Sequence, residues 1–413
     1  MWAFVLRRRP RGTEASRPRS PPVEPENVNS LLGHLCGLLA ERIDASRIAT
    51  AKRRQADVMA GREADYIPMV FGSPNVLGGE KLPSFNWARR WHDPAKSLYE
   101  QVKGLLGAAA SGSDAVPGVR ADTGVINCMS IFGVEYVVPE HTKPVVSRYV
   151  EKEALRQFHV PRDVSGMGIM PRMVEHMSHH LAVLRDSGLG ETVSVYHCDQ
   201  QGPFDIAAQT RGHDIFVDLY EDGDFVHELM AKCVQVYVAV SKLCKRVSGE
   251  PLDAGNAVGV WMDSGGVRMC GDSDILISAE KFKEFVQPHQ QKAFEPFGGG
   301  WLHYCGGWKG TGRMEGLHLH ELYAGIEGLR GLNWTTARDW LAEMRKLKAL
   351  GLVHIGSVPR ENGQSLEEYF RMALSPYDRR CGMIFQGPNL RKGEHAKAMD
   401  VWHKVQDEVF GRG

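Results

Sequence analysis

The chain has 413 residues, and its 50 basic and 50 acidic side chains give a formal net charge of zero. Hydrophobic residues make up 43% and charged residues 24%, as in an ordinary globular protein. The balanced charge gives no indication of binding to nucleic acid or to a membrane surface. No apolar run is long enough to cross a bilayer.

The eight cysteines are scattered along the chain without a Cys-x-x-Cys pair. This spacing is typical of reduced thiols and does not indicate a disulfide framework, so we expect a cytoplasmic protein. The N-terminal segment "MWAFVLRRRPRGTEASRPRSPPVEPE" is rich in Arg and Pro, and its apolar run is too short for a signal peptide. We expect residues 1–28 to be a disordered tail and residues 29–413 to form one domain.

The first part of the chain alternates helical patterns with short extended pieces. Helical spacing of apolar residues covers 29–64 and returns at 84–108, and a strand is predicted between them at 66–72. The stretch 108–118 is predicted as a loop because Gly, Ser and Pro interrupt it. Residues 124–138 contain a strand or a pair of short extended pieces.

The alternation becomes regular after a predicted helix at 171–185. Most of the later predicted strands are followed by a helix, and these strands cover 192–198, 257–262, 300–305, 326–334, 352–358 and 382–387. Counted from residue 66, about eight strands alternate with helices, which predicts a (β/α)8 TIM barrel with an N-terminal helical extension. A doubly wound open sheet is the alternative, although no Gly-rich dinucleotide loop follows an early strand.

The stretch "WLHYCGGW" (301–308) places an imidazole and a thiol two residues apart at a predicted strand end. Alternate residues of a strand point to the same face, so His303 and Cys305 reach the same region of space. Imidazole nitrogen and thiolate sulfur are zinc ligands, although a packed His beside a buried Cys would give the same pattern.

A catalytic zinc needs a third protein ligand and an open position. Cys381 is the soft ligand that suits zinc best, but it precedes the predicted strand 382–387. Cys198, Asp263 and Gln386 remain alternatives for the third ligand.

Two polar segments follow predicted strands and supply further candidates. In "YHCDQQGPFDIAA" (196–208), the side chains of Tyr196, Asp199 and Gln201 face a pocket unless the segment is only a polar turn. The long polar loop "WMDSGGVRMCGDSDILIS" (261–278) contains Asp263, Arg268, Asp272 and Asp274. A carboxylate at a strand end can bind a metal or act as an acid or base.

The order of several segments resembles the uroporphyrinogen decarboxylase superfamily. The segments are "RRQADVMAGREADYIPMVFG", "FGVEYV", "QGPFDIAAQTRGHDIFVDLYEDGDFVHELM", "ISAEKFKEFVQPHQQKAF" and "HYCGG", and the resemblance covers roughly residues 45 to 410. It implies a (β/α)8 barrel. The superfamily also contains zinc-dependent methyltransferases that act with corrinoid proteins or coenzyme M.

The chain departs from the decarboxylase branch and is closer to the methyltransferase branch. The Arg-rich segment of the decarboxylases is missing, and Gly124 stands where their Asp is expected. The methyltransferase branch has a His-x-Cys-Gly motif, which His303, Cys305 and Gly306 reproduce. Its third zinc ligand is a Cys at the end of the last strand, near Gln386 here, and Cys381 lies a few residues early.

The resulting prediction is zinc-dependent methyl transfer to or from a corrinoid or a thiol. A uroporphyrinogen-type decarboxylase and a non-catalytic partner of a methyl-transfer system are the alternatives. The expected partners are a small-molecule substrate and a corrinoid protein. A homodimer is also compatible with the sequence. The residues assigned are Asp199 and Asp263 for catalysis, Tyr196, Gln201, Asn333 and Gln386 for substrate binding, and His303, Cys305 and Cys381 for zinc.

Overall fold

The computed structural model describes residues 27–74, 82–306 and 315–411. The tail predicted for residues 1–28 lies almost wholly outside these ranges. None of the helices in the described ranges combines the length and apolarity needed to span a bilayer.

Two helices open the described chain, as the apolar periodicity predicts. Val28–Arg42 (α1) begins after Asn27, whose side chain accepts a hydrogen bond from the backbone N–H of Ser30. Ala45–Met59 (α2) begins after Asp44, which caps two backbone N–H groups in the same way.

The remaining helices run in chain order between and around the strands. They are α3 (Trp87–His92), α4 (Pro94–Ser111), α5 (Asn127–Ile131), α6 (Lys152–Gln157), α7 (Met170–Asp186), α8 (Pro203–Arg211), α9 (Asp214–Glu221), α10 (Gly223–Ser248), α11 (Ala279–Lys281), α12 (Gln287–Phe294), α13 (His320–Ala324), α14 (Trp340–Ala349), α15 (Leu366–Leu374) and α16 (Ala398–Phe410).

The strands are short, and most are buried. They are β1 (Met69–Val70), β2 (Gly118–Arg120), β3 (Glu135–Val137), β4 (Val145–Arg148), β5 (Ser194–Tyr196), β6 (Gly255–Ala257), β7 (Val260–Met262), β8 (Val267–Cys270), β9 (Gly300–Tyr304), β10 (Leu329–Trp334), β11 (Val353–Gly356) and β12 (Met383–Gln386).

A parallel sheet of six strands forms the centre of this mixed α/β fold. Its order is β1-β12-β11-β10-β9-β8, and β2 and β5 form a separate parallel pair. Two antiparallel hairpins, β3–β4 and β6–β7, lie outside the sheet. The architecture is compatible with the predicted barrel, but the ladders of the described strands do not form a closed ring.

Isolated hydrogen bonds connect the strand pair to both edges of the sheet. At one seam, the N–H of Cys270 donates to the carbonyl of Gln200 (2.9 Å), and the N–H of Gly202 donates to the carbonyl of Cys270 (2.7 Å). A Cβ on Gly202 would lie 2.7 Å from that carbonyl oxygen, so the close approach requires glycine. At the other seam, the N–H of Asp114 donates to the carbonyl of Met69 (2.9 Å).

One predicted strand is wrong, and two further predictions need changed bounds. The predicted strand 257–262 is half of the β6–β7 hairpin, because Val258 and Gly259 both adopt positive φ and reverse the chain. The sheet strand of this region is β8, further along the chain. The predicted loop 108–118 begins inside α4 and ends at the first residue of β2. The stretch 124–138 contains a strand as predicted, β3, but also helix α5.

Buried apolar residues fall into an outer layer and an inner cluster. The outer layer packs helices against the strands. The inner cluster joins strand residues such as Val70, Trp301 and Ile384 to Val260 and Met262 of the hairpin. The hairpin therefore packs against the strands as part of this inner cluster.

Candidate metal centre

Three potential metal ligands meet at the carboxyl ends of β8 and β9. These strands are parallel neighbours, with Cys270 paired to His303. Asp272 follows the end of β8 by two residues, and Cys305 follows β9 directly. One donor atom from each of Asp272, His303 and Cys305 lies within 4.8 Å of the other two. The predicted pairing of His303 with Cys305 at a strand end thus agrees with the structure.

Hydrogen bonds orient the three side chains. The Nε2 atom of His303 lies 3.2 Å from the Sγ atom of Cys305. The backbone N–H of Cys305 donates to Oδ1 of Asp272 at 2.6 Å, which holds that carboxylate beside the thiol.

Asn333 fixes the protonation pattern of the imidazole. Its side-chain N–H donates to the carbonyl of Ile355, so its oxygen faces Nδ1 of His303. Nδ1 must then carry the proton, and the lone pair of Nε2 points towards Cys305. Metal-binding histidines are commonly held by this kind of second hydrogen bond.

The local environment favours uncharged forms of both ligands in the absence of a metal. Burial lowers the pKa of His303, and the positive charge of Arg268 lowers it further. Burial raises the pKa of the Cys305 thiol to about 11, and the nearby charge of Asp272 adds to this effect. A neutral imidazole is ready to bind a metal, whereas the thiol becomes a thiolate only if a cation replaces its proton.

The donor set fits zinc. It combines one nitrogen, one sulfur and one oxygen, and three protein ligands leave a fourth tetrahedral position open, as in catalytic zinc sites. Tetrahedral zinc needs nitrogen and sulfur donors roughly 3.6 Å apart, from the usual bond lengths. The 3.2 Å separation here needs only a small movement.

Cys381 and Asp263 do not reach this site. Cys381 is buried before the first residue of β12, at the amino end of the sheet, so its prediction as a zinc ligand is corrected. Asp263 is exposed between the hairpin and the amino end of β8, so it does not end a sheet strand as predicted. Cys198, the alternative third ligand, is buried with its Sγ 3.9 Å from that of Cys244. In the described ranges, the potential ligand group contains none of these three residues.

Asn333 and Gln386, two predicted substrate-binding residues, line the same cleft. The cleft has a volume of about 570 Å³ and lies over the carboxyl ends of β10, β11 and β12. Gln386 donates from Nε2 to the carbonyl of Val258 at the tip of the hairpin (2.8 Å). Asn333 contacts both the cleft and His303, so the cleft opens beside the candidate ligands.

Asp199, predicted to be catalytic, is the centre of a buried ion-pair cluster. Its carboxylate contacts Arg268 at 2.5 Å and both Arg120 and Lys143 at 3.2 Å. Burial alone would raise the pKa of Asp199, but Arg120, Arg268 and Lys143 together hold it well below its usual range. The carboxylate is therefore ionised at all ordinary pH values and suits charge stabilisation better than proton transfer.

Tyr196 and Gln201, the other predicted substrate-binding residues, are both buried near the end of β5. Tyr196 belongs to the inner apolar cluster. Gln201 accepts a hydrogen bond from Gln209 at 3.2 Å, while its own side-chain nitrogen is buried without a partner.

Asp272 is the potential ligand that the sequence prediction does not select. It is one of four charged residues in the polar loop 261–278. Because the strand is predicted at 257–262, Asp263 and not Asp272 is expected at the strand end. A correct placement of β8 over "VRMC" would have revealed it, because Asp272 then follows the strand at the spacing that Cys305 has after His303.

Comparisons with known proteins support the fold only. Scans against protein-family models and curated proteins give no match. Among solved structures, the chain is similar to a methyltransferase from Methanosarcina mazei, with a TM-score of 0.60 and 15% sequence identity. The similarity covers 87% of this chain and 98% of the methyltransferase. At this identity the likeness describes the fold, so the function is argued from the site.

Proposed function

We propose that the protein is a zinc-dependent methyltransferase in which Asp272, His303 and Cys305 hold the metal. The observation that carries the proposal is the convergence of their three donor atoms within 4.8 Å at the carboxyl edge of the parallel sheet. The resemblance of the His-x-Cys-Gly motif to zinc-dependent methyltransferases and the fold of the Methanosarcina mazei methyltransferase agree with it.

The proposed barrel places the site at its mouth. The hydrogen bonds between Cys270 and Gln200 and between Asp114 and Met69 would join β2 and β5 to the two edges of the sheet. The eight parallel strands would then form a ring with every carboxyl end on one face, where barrel enzymes build their active sites. An experimental structure in which either seam is wide open would contradict this arrangement.

The chemistry follows from the three ligands and their surroundings. When bound, zinc would supply a Lewis acid that lowers the pKa of a thiol substrate and holds it as a nucleophilic thiolate. Asn333 would keep His303 in the tautomer that leaves Nε2 free for the metal. The adjoining cleft would place the methyl donor or acceptor, either a small molecule or the corrinoid of a partner protein, against the open position.

Uroporphyrinogen-type decarboxylation has no comparable support. Asp199, the acid it would use, is already paired with three cations, and Asp263 lies towards the other end of the strands. A non-catalytic role would require that the protein bind zinc without turnover.

Zinc affinity tests the proposed site directly. Wild type should bind one zinc ion per chain, and His303→Ala and Cys305→Ala should each weaken binding by about 100-fold or more, because each removes a ligand. The dissociation constant would be measured by competition with a chromophoric chelator. Cys381→Ala is the matched control and should bind zinc like wild type.

Turnover then tests the reaction. Zinc-loaded wild type should transfer the methyl group of free methylcobalamin to a small thiol, and Cys305→Ala should not. Failure of wild type to bind zinc would contradict the proposed metal site. Zinc binding without any methyl transfer would contradict the proposed reaction and favour the non-catalytic alternative.

A further inference from the structure

We infer that Asp205 is a positioning residue for the metal ligand Asp272, an inference that rests on the proposed zinc site. Asp205 is the third residue of α8 and is fully buried. Its two carboxylate oxygens accept hydrogen bonds from consecutive backbone N–H groups, from Asp272 at 2.9 Å and from Ser273 at 2.6 Å. Asp205 therefore contacts the main chain of Asp272 and not its carboxylate.

These two bonds complete the support of the turn that carries Asp272. On the other side, the N–H of Gly271 donates to the carbonyl of His303 at 2.8 Å, and the side chain of Asp272 accepts from the N–H of Cys305. The turn is thus attached to β9 through Gly271 and to α8 through Asp205. Without Asp205, two partly buried N–H groups would lose their acceptors, and the turn could move away from the other ligands.

The other side of the turn packs closely against Asp274. A Cβ on Gly271 would lie 2.3 Å from Oδ2 of Asp274, whose carboxylate is held by Gln290 (2.6 Å) and Tyr323 (2.9 Å). Asp274 is therefore held by the side chains of Gln290 and Tyr323, whereas Asp205 holds the backbone of Asp272 itself. This difference makes Asp274 a suitable control.

The test compares substitutions of Asp205 that change either the hydrogen-bonding group of the side chain or its length. Asp205→Asn keeps the size of the side chain but places an N–H₂ group where one acceptor was, so the zinc dissociation constant should rise about 10- to 100-fold. Asp205→Glu keeps the carboxyl group but changes its reach, and should weaken zinc binding similarly. Asp274→Asn removes a buried carboxylate next to the same turn. It should change the zinc dissociation constant less than about threefold, well below the 10- to 100-fold loss expected when support of a ligand is removed.

A spectroscopic readout distinguishes positioning from general destabilisation. With Co²⁺ as the probe, folded Asp205→Asn should keep the thiolate charge-transfer band of Cys305 but show altered d–d bands, because the carboxylate ligand is displaced. Hydrogen exchange at the amides of Asp272 and Ser273 should also become faster in Asp205→Asn, with or without zinc.

The outcomes separate this inference from the proposed function. Wild-type zinc affinity and an unchanged cobalt spectrum in Asp205→Asn would overturn the inference while leaving the zinc site intact. Unchanged exchange at Asp272 and Ser273 would overturn it even if the protein bound no zinc. Absence of zinc binding in wild type, with faster exchange in Asp205→Asn, would overturn the proposed function and keep Asp205 as the residue that holds the turn.

Discussion

Asp199 is the residue whose electrostatic surroundings bear most directly on its predicted catalytic role. Its side chain is only 11% exposed, and three cations surround it. Removing one partner of a buried ion pair leaves the other charges uncompensated, which is costly. The folded state therefore depends on the cluster remaining complete, whatever the cluster contributes to substrate binding.

Asp199→Asn should consequently lower the free energy of unfolding by about 3 kcal/mol. The substitution keeps the shape of the side chain but leaves Arg268 and Arg120 without their shared carboxylate. Urea denaturation would measure the change. Asp263→Asn, at an exposed carboxylate, is the control and should leave stability unaltered, so equal effects of the two substitutions would contradict this account.

The sequence located two of the three candidate ligands because their pairing depends only on local geometry. His303 and Cys305 are two residues apart, and the alternation of side chains along a strand brings them together wherever the strand lies. Asp272 could not be found in the same way. Its proximity to Cys305 depends on which strand neighbours β9 and on the register Cys270 to His303, and both are set by tertiary packing.

At the scale of elements, the β6–β7 hairpin explains the main error in the predicted fold. Its sequence "AVGVWM" is more apolar than that of β8, because it packs in the inner cluster with Trp301 and Ile355. An apolar run is typical of a buried strand, and periodicity does not tell a sheet strand from a hairpin filling the same interior. The later strands β9 to β12 were predicted well, because each one lies in an apolar run followed by a helix.

At the tip of this hairpin, Val258 adopts an unfavourable backbone conformation, and a substitution can relieve this strain. Val258 has φ of 55° although its side chain is β-branched and 43% exposed. Asn adopts positive φ more readily, so Val258→Asn should raise the free energy of unfolding by about 1 kcal/mol, measured by urea denaturation. The hydrogen bond from Gln386 would persist because its acceptor is a backbone carbonyl.

Val217→Asn provides the matched control, since Val217 is also half-exposed but lies in helix α9 with ordinary φ. It should give no gain in stability. Destabilisation by Val258→Asn would indicate that the side chain of Val258 makes a contribution at the cleft that outweighs the backbone strain.

At the scale of the whole molecule, the fold class was predictable but the closure of the barrel was not. Alternating strands and helices determine a parallel sheet with helices around it. Closure of the proposed barrel would depend on a few hydrogen bonds at two seams, between Cys270 and Gln200 and between Asp114 and Met69. The sequence pattern contains no signal for such pairings, because they join segments far apart in the chain.

The central claim is that zinc binds through one thiolate, one imidazole and one carboxylate at the carboxyl edge of the sheet. X-ray absorption at the zinc edge of the zinc-loaded, full-length protein tests it most directly. The account predicts one sulfur neighbour at about 2.3 Å and the remaining neighbours, nitrogen or oxygen, at about 2.0–2.2 Å. A spectrum with no sulfur neighbour, or with two as expected if Cys381 or Cys198 joined Cys305, would contradict it.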